Sequence, residues 1–415
     1  MPSVFGSDGR VRCRLDRPDP FPVHTLKRVD RPTTAIQADR IQRVDERESG
    51  FNRSGRGDYG PFVKKERPRM VPKHPLSAAL VTMQGMLGHL VDAGQALPVN
   101  PAPQNGPMPS LAAVAAQRAP GTDDPSKMAR HIKETAYFLR ADAVGICELP
   151  PYAVYSHSVF TGQPIDLTHK YAIGILVDQD WRTASAFSGR DWISNSMSFM
   201  SYSASGFIAC LLADYIRRLG YPARAHHARN YQVVLPPIFL LAGLGEMSRI
   251  GDIVVHPFLG PRFKGAVVTT DLPLAVDKPV DFGLQDFCSK CKKCARECPS
   301  GAISDGGKVL HNGYEKWPVD VKKCTSMRVA NQKGCGCGTC IKVCPWSKPF
   351  TPFHRLVNWT MRNLPAARNL AIWGDDLLGY GKARPEQKWW LDVEDVDGSL
   401  QVPKNAVEDA QFLDE

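Results

Sequence analysis

The chain has 415 residues, of which 43% are hydrophobic and 23% are charged, a composition typical of a soluble globular protein with two or three subdomains. Its formal net charge of +10 can indicate nucleic-acid binding. Much of this charge lies in local runs such as Lys64 to Arg69, which usually form solvated surfaces, so we expect no nucleic-acid partner.

No targeting or membrane-spanning signal is recognisable. The first residues lack the apolar stretch of a secretion signal and the arginine pair of a twin-arginine signal. The longest apolar stretch is interrupted by Pro236 and Pro237 and is too short to span a bilayer. We therefore expect a cytoplasmic protein with no membrane partner. In a reducing compartment, the 12 cysteines are predicted to be metal ligands rather than disulfides.

The first part of the chain, residues 1–124, is predicted to be an N-terminal arm and a helical region that wrap around the core. Residues 1–72 are polar and weakly periodic. His74 to Gly94 has helical periodicity, and five prolines follow in the connection at 96–110.

Residues 125–280 are predicted to form an α/β (α+β) domain. A helix and a strand open it, Tyr171 to Val177 is predicted to be a buried strand, and Ser194 to Arg218 a long helix. Two more strands are predicted at 223–228 and 265–274. Such alternation of helices and strands indicates a layered domain.

Residues 281–350 form a separate small unit that is rich in cysteine. The remaining residues, 351–415, are a C-terminal tail that is expected to pack on the core through Trp389 and Trp390.

The cysteine-rich unit begins with the spacing of a bacterial two-cluster ferredoxin. Cys288, Cys291 and Cys294 are separated by two residues each, so three thiolates can close on one cubane. Cys298 follows after three residues and precedes Pro299, so it is expected to bind the partner cluster. Two [4Fe–4S] clusters are therefore predicted. A zinc site is the alternative, but zinc ligands usually come as pairs of CxxC.

The fourth ligand of the second cluster is ambiguous, because Gly334 stands where a cysteine is expected. Cys335 and Cys324 are the candidates. Cys335 lies only two residues before Cys337, which is tight for one cubane, so we favour Cys324. The predicted ligands are Cys288, Cys291, Cys294 and Cys344 for one cluster, and Cys298, Cys324, Cys337 and Cys340 for the other.

A wider set of motifs resembles the cobalamin-dependent reductive dehalogenases. The matching stretches are "SGFIACLLADYIRRLGYPARAHHARNY", "LAGLGEMSRIGDIVVHPFLGPRFKGAVVTTDLPL", "FCSKCKKCARECPSGAIS", "VDVKKCTSMR" and "GCGTCIKVCPW", within about residues 160–350. The resemblance implies a nitroreductase-like cobalamin-binding core with an inserted or appended two-[4Fe–4S] ferredoxin-like module. It also implies base-off cobalamin, in agreement with the absence of a DxHxxG motif that would offer a lower histidine ligand.

The resemblance also places the catalytic residues. It puts the proton donor at Tyr202 and the cation that stabilises the resulting phenolate at Lys264, with Arg262 as the alternative. Three small residues share the helix face of Tyr202 and would admit either a flat macrocycle or another helix: Gly206, Ala209 and Ala213. Arg328, four residues after Cys324, would bind an anionic substrate group or tune the nearby cluster.

Cobalamin contacts are implied at two further positions. Asn230 matches a polar pocket residue of the family. Gly243, Gly245 and Glu246 match a glycine turn that lets the backbone approach the corrinoid.

The implied function is reductive dehalogenation of a small organohalide, a halogenated phenol or hydroxybenzoate, with electrons from a separate ferredoxin, flavodoxin or reductase. No GxGxxG after a strand and no P-loop is present, which disfavours a nicotinamide-dependent or ATP-driven enzyme. One alternative is an epoxyqueuosine reductase-like tRNA-modifying enzyme, although that family has "GLGWIGKN" where this chain has "GLGEMSRIGD". The other is a non-catalytic iron–sulfur electron carrier, against which the long Tyr202 helix argues.

Overall fold

The computed structural model describes residues 20–70, 75–91, 112–331, 334–388, 391, 394–397 and 399–401. The predicted connection at 96–110 and the predicted packing of Trp389 and Trp390 lie outside these residues.

Helices and strands alternate through the described residues. The helices are α1 (Gly50–Arg56), α2 (Pro61–Glu66), α3 (Pro75–Leu87), α4 (Pro125–Phe138), α5 (Trp181–Ala184), α6 (Ile193–Arg218), α7 (Leu235–Leu241), α8 (Leu284–Lys290), α9 (Lys293–Arg296), α10 (Val321–Ala330), α11 (Thr339–Val343), α12 (Pro352–Asn363) and α13 (Arg368–Leu377). The strands are β1 (Lys27–Arg28), β2 (Ala143–Glu148), β3 (Tyr171–Asp178), β4 (Ala223–His226), β5 (Glu246–Met247), β6 (Val254–Val255), β7 (Phe263–Thr270), β8 (Val280–Asp281), β9 (Val309–His311), β10 (Tyr314–Lys316), β11 (Glu394–Val396) and β12 (Ser399–Gln401).

The central sheet has four strands in the order β2–β3–β7–β4, and every neighbouring pair is antiparallel. β3 and β7 are paired from Tyr171↔Thr270 to Asp178↔Phe263. The strand predicted at Tyr171 to Val177 is therefore confirmed, as is the mixed helix and sheet fold class. Because the sheet is antiparallel, the α+β description fits better than α/β.

Alternating side chains of β3 face two separate cores. Ile173 and Ile175 pack with α4 and α6 on one face. Ala172 and Leu176 pack on the other face with α7 and with residues of the cysteine-rich unit. The sheet therefore separates the Tyr202 helix from much of the cluster-bearing unit.

The predicted long helix is confirmed as α6, which crosses the sheet. By length and composition it could cross a bilayer, but 56% of its most apolar window is buried inside the protein. This burial is what a core helix of a folded domain shows.

The segments on both sides of the core pack against the cysteine-rich unit. β1 pairs with β8 through Lys27↔Asp281, and α1 and α2 pack on α10. At the other end, the Nη1 of Arg368 in α13 binds the Asp286 carboxylate of α8 at 2.6 Å. Both segments thus hold the cysteine-rich unit on the central domain.

Candidate active site

Tyr202 and Lys264 are neighbours. Tyr202 lies in the first half of α6, and Lys264 lies on β7 opposite Val177 of β3. The Nζ of Lys264 is 5.3 Å from the centre of the Tyr202 ring. At this distance an ammonium is attracted to the ring and can stabilise the negative charge left when the hydroxyl gives up its proton.

Arg262, the alternative cation, is bound elsewhere. It is buried, and its Nε and Nη2 donate to the Asp178 carboxylate at 2.8 and 3.2 Å. Its Nη1 donates to the Lys348 carbonyl at 2.9 Å. These bonds join β3, β7 and the segment after Cys344, so the geometry favours Lys264 as the partner of Tyr202.

A second tyrosine, which the sequence did not single out, lies in the same region. The Tyr231 hydroxyl donates to the Gly265 carbonyl at 3.2 Å, next to Lys264. Burial raises the pKa of Tyr231 well above its usual range, and the neighbouring Tyr202 raises it further. Tyr231 therefore remains a neutral hydroxyl. The sequence does contain an indication of Tyr231, because this residue directly follows Asn230, which the resemblance places in the pocket.

The small face of α6 packs on protein. A Cβ atom on Gly206 would lie 3.3 Å from atoms of both His227 and Leu87, the last residue of α3. Ala209 and Ala213 are buried in the core with the sheet. Gly206 thus allows close packing on α3, and contact of this face with a macrocycle stays a prediction.

The predicted glycine turn closes against backbone of the protein itself. A Cβ atom on Gly243, whose φ is +67°, would lie 2.3 Å from the Lys278 carbonyl oxygen. One on Gly245 would lie 2.2 Å from the Val255 carbonyl oxygen. Only glycine fits positions this close to neighbouring backbone. Internal packing therefore explains both glycines, and their contact with cobalamin stays a prediction.

Glu246 is buried at the end of this turn. Its carboxylate accepts hydrogen bonds from the N–H groups of Phe282 and Leu284 at 2.8 and 3.2 Å and from the Thr33 hydroxyl. Burial raises the pKa of Glu246, while these hydrogen bonds act in the opposite direction. Glu246 thus fastens the start of the cysteine-rich unit to the central domain, and a role toward cobalamin stays a prediction.

Asn230 supports the loop after β4. Its Oδ1 accepts from the Nη2 of Arg224 at 2.7 Å, and its Nδ2 donates to the Gly88 carbonyl at 3.4 Å. The side-chain amide therefore has partners on β4 and just after α3, and its contact with cobalamin stays a prediction.

One group of thiols consists of Cys298, Cys324, Cys337 and Cys340. Burial raises the pKa of Cys324, and the neighbouring Cys337 and Cys298 raise it further. The pKa of Cys340 is raised in the same way by burial, Cys337 and Cys324. We call these four residues the inner group.

Cys335 lies outside the inner group. It is fully buried, and its Sγ donates to the Arg328 carbonyl at 3.4 Å. The placement of Cys324 beside Cys337 and Cys298 favours Cys324 over Cys335 as the fourth ligand.

The second group consists of Cys288, Cys291, Cys294 and Cys344, which we call the outer group. Burial raises the pKa of Cys344, and Cys294 and Cys291 raise it further. The pKa of Cys294 is raised to about 12 by burial and by Cys288 and Cys291. The structure brings the cysteines of each predicted set together, and their role as ligands of two clusters stays a prediction.

The chemistry of these groups fits two [4Fe–4S] clusters. Iron binding releases the protons of these buried thiols, and because the eight cysteines meet only in the folded unit, the free energy of cluster binding stabilises that fold. At Cys298, burial alone would raise the pKa, but hydrogen bonds from Ser300 and from backbone N–H groups lower it overall. Among the described residues, no three His, Cys, Asp or Glu side chains converge on one metal ion. A cubane is wider than an ion and holds its ligands further apart.

The loop that carries Cys337 packs on the first turn of α6. A Cβ atom on Gly336 would lie 3.3 Å from the Asn195 nitrogen, and one on Gly338, whose φ is +75°, would lie 2.7 Å from the Ser194 hydroxyl. Tyr202 follows Asn195 by seven residues, about 10 Å along the helix. The inner group and the Tyr202–Lys264 pair thus lie at two points of the same helix.

Two buried polar atoms near the first turns of α6 are of the kind that the peripheral amides of a corrinoid would bind. The Nδ2 of Asn195 and the Oε1 of Gln179 are buried and have no hydrogen-bond partner. The amide nitrogen of Gln179 donates to the Ser198 hydroxyl, one turn before Tyr202. Buried polar atoms without partners are rare, and a ligand amide would satisfy them.

Arg328 lies beside the inner group. Its guanidinium lies over the Phe51 ring at 4.5 Å and lowers the pKa of Cys324 against the effect of burial. Its described contacts are with this group rather than with Tyr202 or Lys264. The structure therefore favours tuning of a cluster over binding of a substrate anion.

Comparison with known proteins agrees with this architecture. Residues 287–347 match the 4Fe-4S double cluster binding domain. The tetrachloroethene reductive dehalogenase of Sulfurospirillum multivorans is 30% identical over 312 residues, which cover 66% of this chain and 61% of that protein. The catabolic reductive dehalogenase NpRdhA, solved with 3-bromo-4-hydroxybenzoic acid, is 42% identical with a TM-score of 0.82, over 93% of this chain and 53% of that one.

Another reductive dehalogenase structure, which suggests a mechanism for B12-dependent dehalogenation, is 41% identical with a TM-score of 0.80. The match covers 93% of this chain and 53% of that one. The epoxyqueuosine reductase of Escherichia coli matches over a shorter region, 29% identical over 215 residues that cover 46% of this chain and 53% of that protein. The chain spans 61% of the Sulfurospirillum protein and about half of the solved dehalogenases. Sequence and fold together show that the chain is a homologue of the reductive dehalogenases and contains their double [4Fe–4S] cluster domain.

Proposed function

We propose that the protein is a cytoplasmic reductive dehalogenase that uses base-off cobalamin and two [4Fe–4S] clusters. Its substrate is a halogenated phenol or hydroxybenzoate, a class supported by the hydroxybenzoate complex of the homologue. The observation that carries the proposal is the position of the Lys264 ammonium beside the ring of Tyr202. Tyr202 lies on α6, and the first turn of this helix packs on the inner-group loop.

The reaction replaces a carbon–halogen bond by a carbon–hydrogen bond. Two electrons and one proton enter, and a halide ion leaves. Bound cobalamin would supply the low-potential cobalt centre that passes the electrons to the carbon–halogen bond. Tyr202 donates the proton from its hydroxyl to the substrate carbon, and Lys264 stabilises the phenolate that remains. Electrons reach the clusters from a separate ferredoxin, flavodoxin or reductase.

Residues of this chain would hold each group. The outer and inner groups would hold the clusters, and the side-chain amides of Asn195 and Gln179 would offer hydrogen-bond partners to a bound corrinoid.

The test measures bromide release from 3-bromo-4-hydroxybenzoate by protein reconstituted with iron, sulfide and cobalamin, under a strong chemical reductant. Tyr202→Phe should lower the rate by about 100-fold or more, the range for loss of a general acid. Tyr215→Phe is the matched control, because Tyr215 lies on the same helix with its hydroxyl bonded to His131 at 2.7 Å. Protein that holds both clusters but no cobalamin would contradict the proposal, as would full bromide release by the Tyr202 variant.

A further inference from the structure

Helix α13 lies over the outer group. The Nζ of Lys293, between Cys291 and Cys294, binds the Asp375 carboxylate of α13 at 2.6 Å, with both side chains only 5% exposed. The Nζ of Lys348, four residues after Cys344, binds the same carboxylate at 2.8 Å. These buried ion pairs fix one face of α13 against the outer group.

The opposite face of α13 is apolar and exposed. Leu370, Trp373 and Leu377 are 65%, 60% and 66% exposed. Their spacing of three and four residues puts them on one stripe, and Trp373 lies two residues, about 200°, from Asp375 around the helix. Neighbouring α12 adds a second exposed stripe of three residues: Phe353, Leu356 and Trp359.

These six large apolar residues, which we call the tail surface, are exposed on two helices that pack on each other. Contiguous apolar surface of this kind marks a site of protein–protein or membrane interaction. The stripe on α13 is separated from the outer group by the thickness of one helix, about 10 Å. A protein bound there would reach the outer cluster more closely than it would reach the inner one.

The edge of the tail surface is basic. The run that carries the first outer-group cysteines contains Lys290, which pairs with Asp286, Arg296, which pairs with Glu297 and Asp376, and also Lys292. Lys292 is exposed, and Lys382 and Arg384 are exposed just after α13, so these three cations make up the basic part of the edge. An apolar centre with a basic rim complements a partner with an apolar contact and an acidic surface.

We propose that the tail surface docks an acidic one-electron carrier protein of the ferredoxin class, which reduces the outer cluster. This proposal rests on the proposed function, because it needs the outer cluster to be the point of electron entry. In each encounter the carrier loses one electron and the outer cluster gains one. The basic rim orients the carrier, and the two tryptophans supply the apolar contact that holds it.

The test compares Trp373→Ser and Leu377→Ser with Phe138→Ser, a control on α4 that is 82% exposed in the unchanged protein. The probe is a purified acidic two-[4Fe–4S] bacterial ferredoxin. Its binding is measured by calorimetry, and the reduction of the reconstituted clusters is followed by stopped-flow absorbance below saturation. Each tail-surface variant should bind at least about tenfold more weakly and be reduced correspondingly more slowly, whereas Phe138→Ser should match the unchanged protein. Reduction by titanium(III) citrate should be the same for all.

Equal binding and equal reduction rates for the variants and the control would overturn the proposal. So would a dimer of the unchanged protein that the variants dissociate without any change in ferredoxin reduction, because the surface would then join two copies. Neither readout depends on halide release. Failure of the dehalogenase activity would therefore be seen separately from failure of the docking site.

Discussion

Arg249 should be essential for holding the cluster-bearing unit on the central domain. It is buried in the loop after β5, its Nε donates to the Cys288 carbonyl at 2.8 Å, and its Nη1 donates to the carbonyls of Ser304 and Gly306 at 3.0 and 2.9 Å. Its guanidinium also lies 4.9 Å from the Trp317 ring. One side chain of the central domain therefore binds three points of the cysteine-rich unit.

The Arg249→Met variant leaves those three carbonyls without their partner. A hydrogen bond to a charged group contributes roughly 1.5 to 3 kcal/mol, and the cost of burying the cation offsets part of the sum. We expect a net loss of about 3 to 5 kcal/mol. If these bonds break before the outer cluster is released, the cluster should leave about 100-fold faster or more.

The assay follows the visible absorbance of the reconstituted clusters after dilution into guanidinium chloride. Rates are used because cluster loss makes unfolding irreversible. The control is Arg296→Ala, which removes an exposed arginine of the same unit that pairs with Glu297 and Asp376. Such surface pairs contribute at most about 1 kcal/mol. Equal rates for the Arg249 and Arg296 variants would refute the reasoning.

Three further outcomes are expected. Burial lowers the pKa of His227 from 6.5 to about 4, so its contribution of up to about 3 kcal/mol should be lost as the pH falls through this range. The variant His227→Gln should reduce the dependence of the unfolding midpoint on pH, and the part that remains should come from the other buried histidines, such as His226 and His256. Cys324→Ser should lower the iron content from about eight to about four atoms per chain, whereas Cys335→Ser should keep it. Gly338→Ala should also lose the four iron atoms of the inner cluster, because the new Cβ would lie 2.4 Å from the Phe187 ring. Iron analysis and electron paramagnetic resonance measure the cluster content of the cysteine and glycine variants.

Local patterns account for what the sequence predicts well. The spacing of Cys288, Cys291 and Cys294 limits how three thiolates can meet, whatever the rest of the chain does. The apolar run of β3 and the long apolar pattern of α6 likewise determine their own structure. The neighbouring positions of Tyr202 and Lys264 came from the resemblance, because no local pattern joins a helix residue to a strand residue 62 positions later.

Features that depend on distant partners could not be predicted in this way. The glycines of the 243–246 turn match a family motif, but their physical reason is backbone that arrives later in the chain, at Val255 and Lys278. Tyr231 lies near Lys264 only because the fold places the Gly265 carbonyl of β7 against its hydroxyl.

The tail surface likewise depends on residues that are distant in the sequence. An amphipathic pattern such as that of α13 predicts a buried apolar face and a polar face turned to water. Here the buried face is held by Asp375, whose two lysine partners cannot be inferred from the helix itself; Lys293 lies 82 residues earlier. That buried face also carries Arg368, and Ala371 and Ile372 beside it pack on the core, whereas Leu370, Trp373 and Leu377 lie outside. Ala371 and Ile372 already provide the buried apolar side that the amphipathic pattern predicts. The exposed stripe is therefore a second apolar face, and the helical pattern alone gives no reason to expect it.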